Sequence, residues 1–227
     1  MDKTLFIIPC TSRKKEEDKY FSWAPETSII SRLDPGSAAI LLASRRYIAE
    51  HVVDKNGYRH AEKPGPDLGY KSVSGSIGYL PAYERYSLSQ TYRCLPNGFW
   101  TRLSGSGFID ALFVSGLYGL ARYTEYIRYY DISIDQETIH GEPVYSVWRG
   151  VLPRIIASYA VKNGFDKVVV LTSMKYRYLM MPDLEWYLRR RGINVEEPSL
   201  GTGYEVLSNI CYELRNRVEN MLGSPEK

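Results

Sequence analysis

Three short polar motifs, each following a buried apolar run, carry the residues of this chain best suited to chemistry. The first is Cys10-Thr11-Ser12-Arg13-Lys14, after Leu5-Phe6-Ile7-Ile8-Pro9. The second is Ser115-Gly116-Leu117-Tyr118, after Ala111-Leu112-Phe113-Val114, and it runs on through Glu125, Tyr129 and Tyr130 to Asp131. The third is Thr172-Ser173-Met174-Lys175, after Lys167-Val168-Val169-Val170-Leu171. Backbone N–H groups, hydroxyls and a cation at a strand's carboxyl end suit an anion. Tyrosines and carboxylates suit an uncharged ring with a sugar attached. A further stretch, Leu80-Pro81-Ala82-Tyr83-Glu84-Arg85-Tyr86, offers Arg85 as a bidentate clamp and Tyr83 and Tyr86 as stacking faces. Gly116 and Gly119 would let backbone approach a ligand closely.

Several reaction classes lack their residues. The only histidines are His51, His60 and His140, and no His-x-Glu is followed by the Cys-x-x-Cys of a zinc deaminase. There is no nucleophile elbow and no Gly-Lys-Thr phosphate loop. Cys10 reads either as a nucleophile activated by nearby N–H dipoles or as a small buried residue. N-glycoside cleavage fits what remains. Its oxocarbenium-like transition state needs a carboxylate near the sugar and donors for the departing base, and neither metal nor cofactor.

The elements that must position these groups follow from the apolar pattern. Buried strands at 5–8, 111–114 and 167–171 alternate with helices over Ser37–Val53, Pro143–Lys162 (kinked at Pro153) and Met181–Arg191, with a last amphipathic helix through Val206–Met221. Ser104–Gly107 reads as a turn, and Ile193–Val195 as an edge strand. The expectation is a single α/β domain with an open, mostly parallel sheet flanked by helices. In such sheets ligands lie outside the carboxyl ends of the strands, where the three motifs would converge. Residues 54–80, with Gly57, Gly65, Gly69, Gly75 and Gly78 beside Pro64 and Pro66, read as an insertion or flap over the substrate.

Composition sets the bounds. The 227 residues carry 29 basic and 26 acidic side chains, a balance that neither demands nor excludes nucleic acid. Tyrosine stands out, with 20 against 6 phenylalanines, as expected of surfaces that stack and hydrogen-bond. Met1-Asp2-Lys3-Thr4 leads into a short apolar run without a signal-peptide pattern, and no window reaches membrane-span length. Cys10, Cys94 and Cys211 are unevenly spaced and give no disulfide framework, so a reducing cytoplasm is expected.

Ile7-Ile8-Pro9-Cys10-Thr11-Ser12-Arg13-Lys14, Pro81-Ala82-Tyr83-Glu84-Arg85-Tyr86, Ser115-Gly116-Leu117-Tyr118-Gly119-Leu120 and Tyr130-Asp131 together resemble the YaaA-like family, linked to peroxide stress and DNA binding. The first and third of these are also similar to the core of archaeosine synthases, whose domain resembles uracil-DNA glycosylases. The resemblance covers roughly residues 4–131. It implies a uracil-DNA-glycosylase-like fold. The aspartate of the uracil-glycosylase strand end is absent, with Pro9-Cys10-Thr11 in its place, so the carboxylate must come from Asp131 or Glu125.

The expectation is a DNA N-glycosylase that excises a modified base, in repair or in defence against phage with modified DNA. The alternatives are a non-catalytic DNA-binding stress protein and an enzyme acting on a deazapurine base of tRNA. The expected catalytic set is Asp131, Glu125 and Tyr118. Cys10, Thr11, Ser12, Arg13, Lys14, Arg85, Tyr86, Ser115, Gly116, Ser173 and Lys175 would bind the nucleic acid, Tyr86 and Tyr118 stacking on an extruded base.

Overall fold

The computed structural model describes residues 2–203 and 205–223. Its strands are β1 (Thr4–Pro9), β2 (Leu80–Pro81), β3 (Ile109–Ser115), β4 (Gly119–Arg122), β5 (Tyr126–Ile127), β6 (Lys167–Val170) and β7 (Asn194–Glu196). Five of them form one sheet in the order β4-β3-β1-β6-β7, and β2 pairs with β5. β1 lies parallel to β3 and β6, β7 is parallel to β6, and only β4 is antiparallel, folding back on β3. Every residue of β1 and of β3 is buried. Continuous apolar runs of this kind suit strands covered on both faces, which is why the two sit at the centre.

The helices are α1 (Pro35–His51), α2 (Ala82–Arg85), α3 (Phe99–Ser106), α4 (Val144–Arg149), α5 (Leu152–Lys162), α6 (Met174–Arg177), α7 (Asp183–Arg189) and α8 (Glu205–Leu222). α1 begins with Asp34 as N-cap, its carboxylate accepting from Ser37 N at 3.0 Å, and with Pro35 just inside. No described helix is long and apolar enough to cross a membrane.

Three local expectations need correcting. The 143–162 stretch is two helices, α4 and α5, separated at Gly150 and Val151. Pro153 stands in the first turn of α5, where its missing N–H would have had no partner, so it opens a helix rather than bending one. Ser104 and Ser106 belong to α3, and the chain turns one residue later at Gly107, whose φ of 71° is left-handed. Finally, the cysteines do pair. Cys94 and Cys211 form a disulfide across 117 residues, with Cα atoms 6.0 Å apart. Only the tertiary fold brings α8 beside the segment before α3, so sequence spacing carries no sign of the bond.

The 54–80 stretch is anchored to the body. Asp67, Leu68, Ile77 and Tyr79 are buried, and Tyr79 bridges to Tyr20. Asp67 is fully enclosed, receiving Arg128 Nη2 at 2.6 Å, Arg128 Nε at 2.9 Å and the Tyr118 hydroxyl at 2.6 Å.

Candidate functional site

The carboxyl ends of β1, β3 and β6 meet, and side chains tie them together. Cys10 N donates to Val114 O at 2.7 Å and Leu171 N to Ile7 O at 2.8 Å, so the three strand ends stay in register. The Cys10 thiol lies 3.3 Å from the Tyr176 hydroxyl of α6. A chain of hydroxyls runs from Tyr86 to Tyr130 and on to Ser115 Oγ, each step 2.6 Å. The motif after β1 is itself folded: Thr11 Oγ1 donates to Arg13 O at 2.8 Å, leaving Ser12 and Arg13 exposed and Lys14 turned inward.

A polar cluster gathers at this tip. Asp131 keeps 28% of its side chain exposed, and Lys55 Nζ stands 4.0 Å from its Oδ1. Lys14 is 8% exposed, and its Nζ lies 4.5 Å from the centroid of the Tyr130 ring. Burial lowers the Lys14 pKa, while the charges of Cys10 and Asp131 oppose that shift and those of Lys55 and Arg85 add to it. Lys175 is half exposed, paired with Asp135, and also lowered by desolvation. Lys14 thus lies within the electrostatic reach of Cys10, Lys55 and Asp131, and Lys175 within that of Cys10 and Lys55. Of the sequence candidates, Cys10, Thr11, Ser12, Arg13, Lys14, Ser173, Lys175 and Asp131 stand at or beside the joined strand tips.

Other candidates are placed where they cannot meet a ligand. Glu125 is fully buried and saturated: its carboxylate takes Arg45 Nη1 at 2.8 Å, Ser28 Oγ at 2.7 Å, Ile29 N at 3.1 Å and Arg122 N at 3.1 Å. It is a counter-ion of the interior. Tyr118 has no exposed surface and gives its hydroxyl to Asp67, so it offers neither a face for a base nor a proton. Burial raises its pKa well above 10. Tyr86 is equally enclosed, its ring 4.8 Å from that of Phe113. Arg85 is a clamp, but on its own chain. It donates to Lys15 O at 2.5 Å, Glu17 O at 3.1 Å, Asp18 Oδ1 at 2.6 Å and Ile127 O at 3.2 Å. Ser115 is buried in the hydroxyl chain.

The glycines also serve packing rather than a ligand. A Cβ on Gly116 would fall 2.3 Å from Ile132 O, and one on Gly119 would fall 2.4 Å from the Trp148 ring. Trp148 Nε1 in turn donates to Gly116 O at 2.7 Å. The close approach that the sequence motif promised is made by the protein to itself.

Sequence reasoning passed over Lys55, Tyr176, Arg45, Asp67 and Arg128. Lys55 lies at the start of the Gly/Pro-rich stretch read as a flap, after Asp54, and that position was the one signal for it. The others sit in polar contexts that look solvated until the fold pairs them.

Three cavities lie beside the cluster, the largest of about 600 Å³ lined among others by Thr172, Ser173, Lys175 and Glu197. A second of about 370 Å³ lies under the 54–80 stretch, lined among others by Asp54, Tyr58, His60, Arg128 and Tyr129. A third of about 310 Å³ is lined by Ile134, Asp135, Tyr145, Arg149, Lys175 and Tyr178. Of the clustered residues only Lys175 lines one of them, while Tyr129, two residues before Asp131, lines the one beside the 54–80 stretch. Among the described residues, no group of three or more His, Cys, Asp or Glu side chains is placed to hold a metal. Neither a family model nor a curated protein matches the chain.

Proposed function

We propose that the chain is a nucleic-acid N-glycosylase that removes a modified base from DNA, with Asp131 as its carboxylate. The observation that carries this reading is the partly open Asp131 beside Lys55 and Lys14 at the joined tips of β1 and β3. An oxocarbenium-like sugar needs a carboxylate close by. Arg13, exposed at the same tip, together with Lys55 and Lys175, would face the phosphates on either side of the reacting nucleotide. Half-buried Tyr129, two residues before Asp131 and lining the cavity of about 370 Å³, replaces Tyr86 and Tyr118 as the aromatic open to an extruded base. The strand-end location agrees with the uracil-glycosylase-like arrangement that the YaaA-like resemblance implies.

The test is abasic-site formation on plain and modified DNA duplexes and on a tRNA carrying a deazapurine base, comparing wild type with Asp131→Asn. Loss of a preorganised charge of this kind corresponds to about 3 kcal/mol, or roughly a hundredfold in rate. Full base release by Asp131→Asn would remove the carboxylate from this role.

A second reading is a DNA-binding protein without chemistry, favoured by the burial of both Tyr86 and Tyr118, the residues expected to stack on a flipped base. It predicts binding that weakens steeply with salt and no base release on any substrate.

A further inference from the structure

Thr172, just after β6, and the Gly201-Thr202-Gly203 turn before α8 take no part in the reading above. Both line the largest cavity, whose volume of about 600 Å³ is usual for a small-molecule site. Ser173, Lys175 and Arg177 continue the wall on the β6 side, and Val206 and Leu207, in the first turn of α8, continue it on the other. Two polar groups in this wall are unsatisfied. Thr172 is 7% exposed, and its hydroxyl has no hydrogen-bond partner among the described residues. Glu197 Oε2 is enclosed as well. Arg177 Nε stands 2.5 Å from it, yet no hydrogen bond is formed with it. Enclosed polar atoms without partners are uncommon and cost stability until something binds them. The wall itself is firm. The disulfide at Cys211 and buried Ile210, Leu214 and Val218 hold α8, and Asn209 Nδ2 donates to Leu200 O at 2.9 Å.

We propose that this cavity binds a nucleoside monophosphate whose base carries N–H donors on its pairing edge, as guanine does. The N-terminal end of α8, an 18-residue helix, favours negative charge. Lys175 is paired with Asp135 and Arg177 with Glu197, and both side chains carry more donors than one partner takes up. Donors for a phosphate therefore remain at this wall. A carboxylate only accepts, so Glu197 Oε2 requires N–H groups, which a phosphate lacks and a guanine edge supplies. The Thr172 hydroxyl can donate to a ring carbonyl or accept from an amine. Met174 and Leu207, 61% and 41% exposed, offer apolar surface to the ring and sugar. The same unit could come free in solution or as one nucleotide of a strand. Binding here does not depend on chemistry at Asp131, so it stands whether or not a base is released.

The experiment titrates the full chain in a calorimeter with inorganic phosphate, with dGMP and with a short guanine-containing single-stranded oligodeoxynucleotide. The expected result is that dGMP or the oligonucleotide binds at least about tenfold more tightly than inorganic phosphate, and that Thr172→Val and Glu197→Gln each lose about tenfold of that affinity. Thr172→Val should keep or raise the Tm, because it removes an unpaired hydroxyl with almost no change of shape. Its loss of binding would then not be a loss of fold. Binding of dGMP assigns a free nucleotide, and binding of the oligonucleotide alone assigns a nucleotide within a strand. Absence of binding by both, or affinity no better than that of inorganic phosphate, overturns the proposal. So does unchanged affinity in either variant, or a fall in Tm in Thr172→Val, which would show the hydroxyl already partnered. Oligonucleotide binding that neither variant weakens removes the nucleotide from this cavity and leaves the glycosylase reading untouched.

Discussion

Glu125 and Asp131 lie six positions apart in one tyrosine-rich segment, the first fully buried and the second partly open. Glu125→Gln is the informative perturbation. The carboxylate accepts four hydrogen bonds, from the Arg45 guanidinium, the Ser28 hydroxyl and two backbone N–H groups, with no surface exposed. An amide in that place turns an NH2 toward groups that are themselves donors. It also takes the counter-charge from the fully buried Arg45, whose other acceptors are the carbonyls of Asp67, Tyr118 and Leu120. Breaking a buried ion pair from one side costs about 3–5 kcal/mol. For a chain of this size that corresponds to a fall in Tm of roughly 6–20 °C. Asp131 is partly exposed, and its cation stands at the 4.0 Å limit of an ion pair. Asp131→Asn should therefore shift stability by no more than about 0.5 kcal/mol. Thermal and urea unfolding followed by circular dichroism, run beside the base-release assay, separates the two. Glu125→Gln should lose stability, and Asp131→Asn should lose base release. An unchanged Tm in Glu125→Gln with base release abolished would refute the counter-ion reasoning and return Glu125 to the chemistry.

Other outcomes follow from particular contacts. Burial holds the Lys14 pKa below its ordinary 10.5, so between the two values the folded state binds fewer protons than the unfolded one. Stability should then rise with pH up to about 10.5, and Lys14→Met, measured by urea midpoints across that range, should remove the rise. Gly119→Ala places a methyl against the Trp148 ring at a φ of 64° and should cost more than about 2 kcal/mol, whereas Gly150→Ala, with nothing within 4 Å, should show no steric penalty in the same unfolding assay. Cys94→Ser frees a loop of 117 residues, for which chain entropy gives about 4–5 kcal/mol; its urea midpoint should be low and insensitive to reductant, while that of the wild type falls to it on reduction.

The sheet was legible because β1, β3 and β6 are apolar runs ending in turn residues, and the strand-end rule brings Cys10, Lys14 and Lys175 near one another from that pattern alone. Asp131 was legible because it closes the same segment. The tyrosines were misread for a physical reason. A phenol satisfies both a core and a hydrogen-bond network, so a high tyrosine count does not distinguish binding surfaces from buried hydroxyl bridges. Tyr86, Tyr118 and Tyr130 are all bridges. Arg85 shows the same limit for charge, since the carbonyls of Lys15 and Glu17 and the carboxylate of Asp18 occupy its fork as a phosphate would. Sequence shows what a side chain can bind but not that its own chain reaches it first. Arg45, Asp67 and Arg128 were passed over because their partners lie 61–80 residues away.

Those buried ions bear on why Asp131 stands where it does. The chain from Glu125 to Asp131 has little ladder of its own, because β5 is two residues long. Its path is set instead by groups outside it. Ala82 N donates to Glu125 O, Arg85 to Ile127 O, Arg128 N to the Tyr118 hydroxyl, and the Arg128 guanidinium closes on Asp67. A hydrophobic replacement for either ion pair could match its stability. It could not hold an irregular backbone at so many named atoms, because dispersion has no direction and a hydrogen bond does. The two pairs and their carbonyl acceptors are therefore better understood as fixing one course for the segment than as a reserve of stability. Asp131 inherits its position from them, and substitution of Asp67 should disturb base release through geometry although Asp67 itself has no opening to the site.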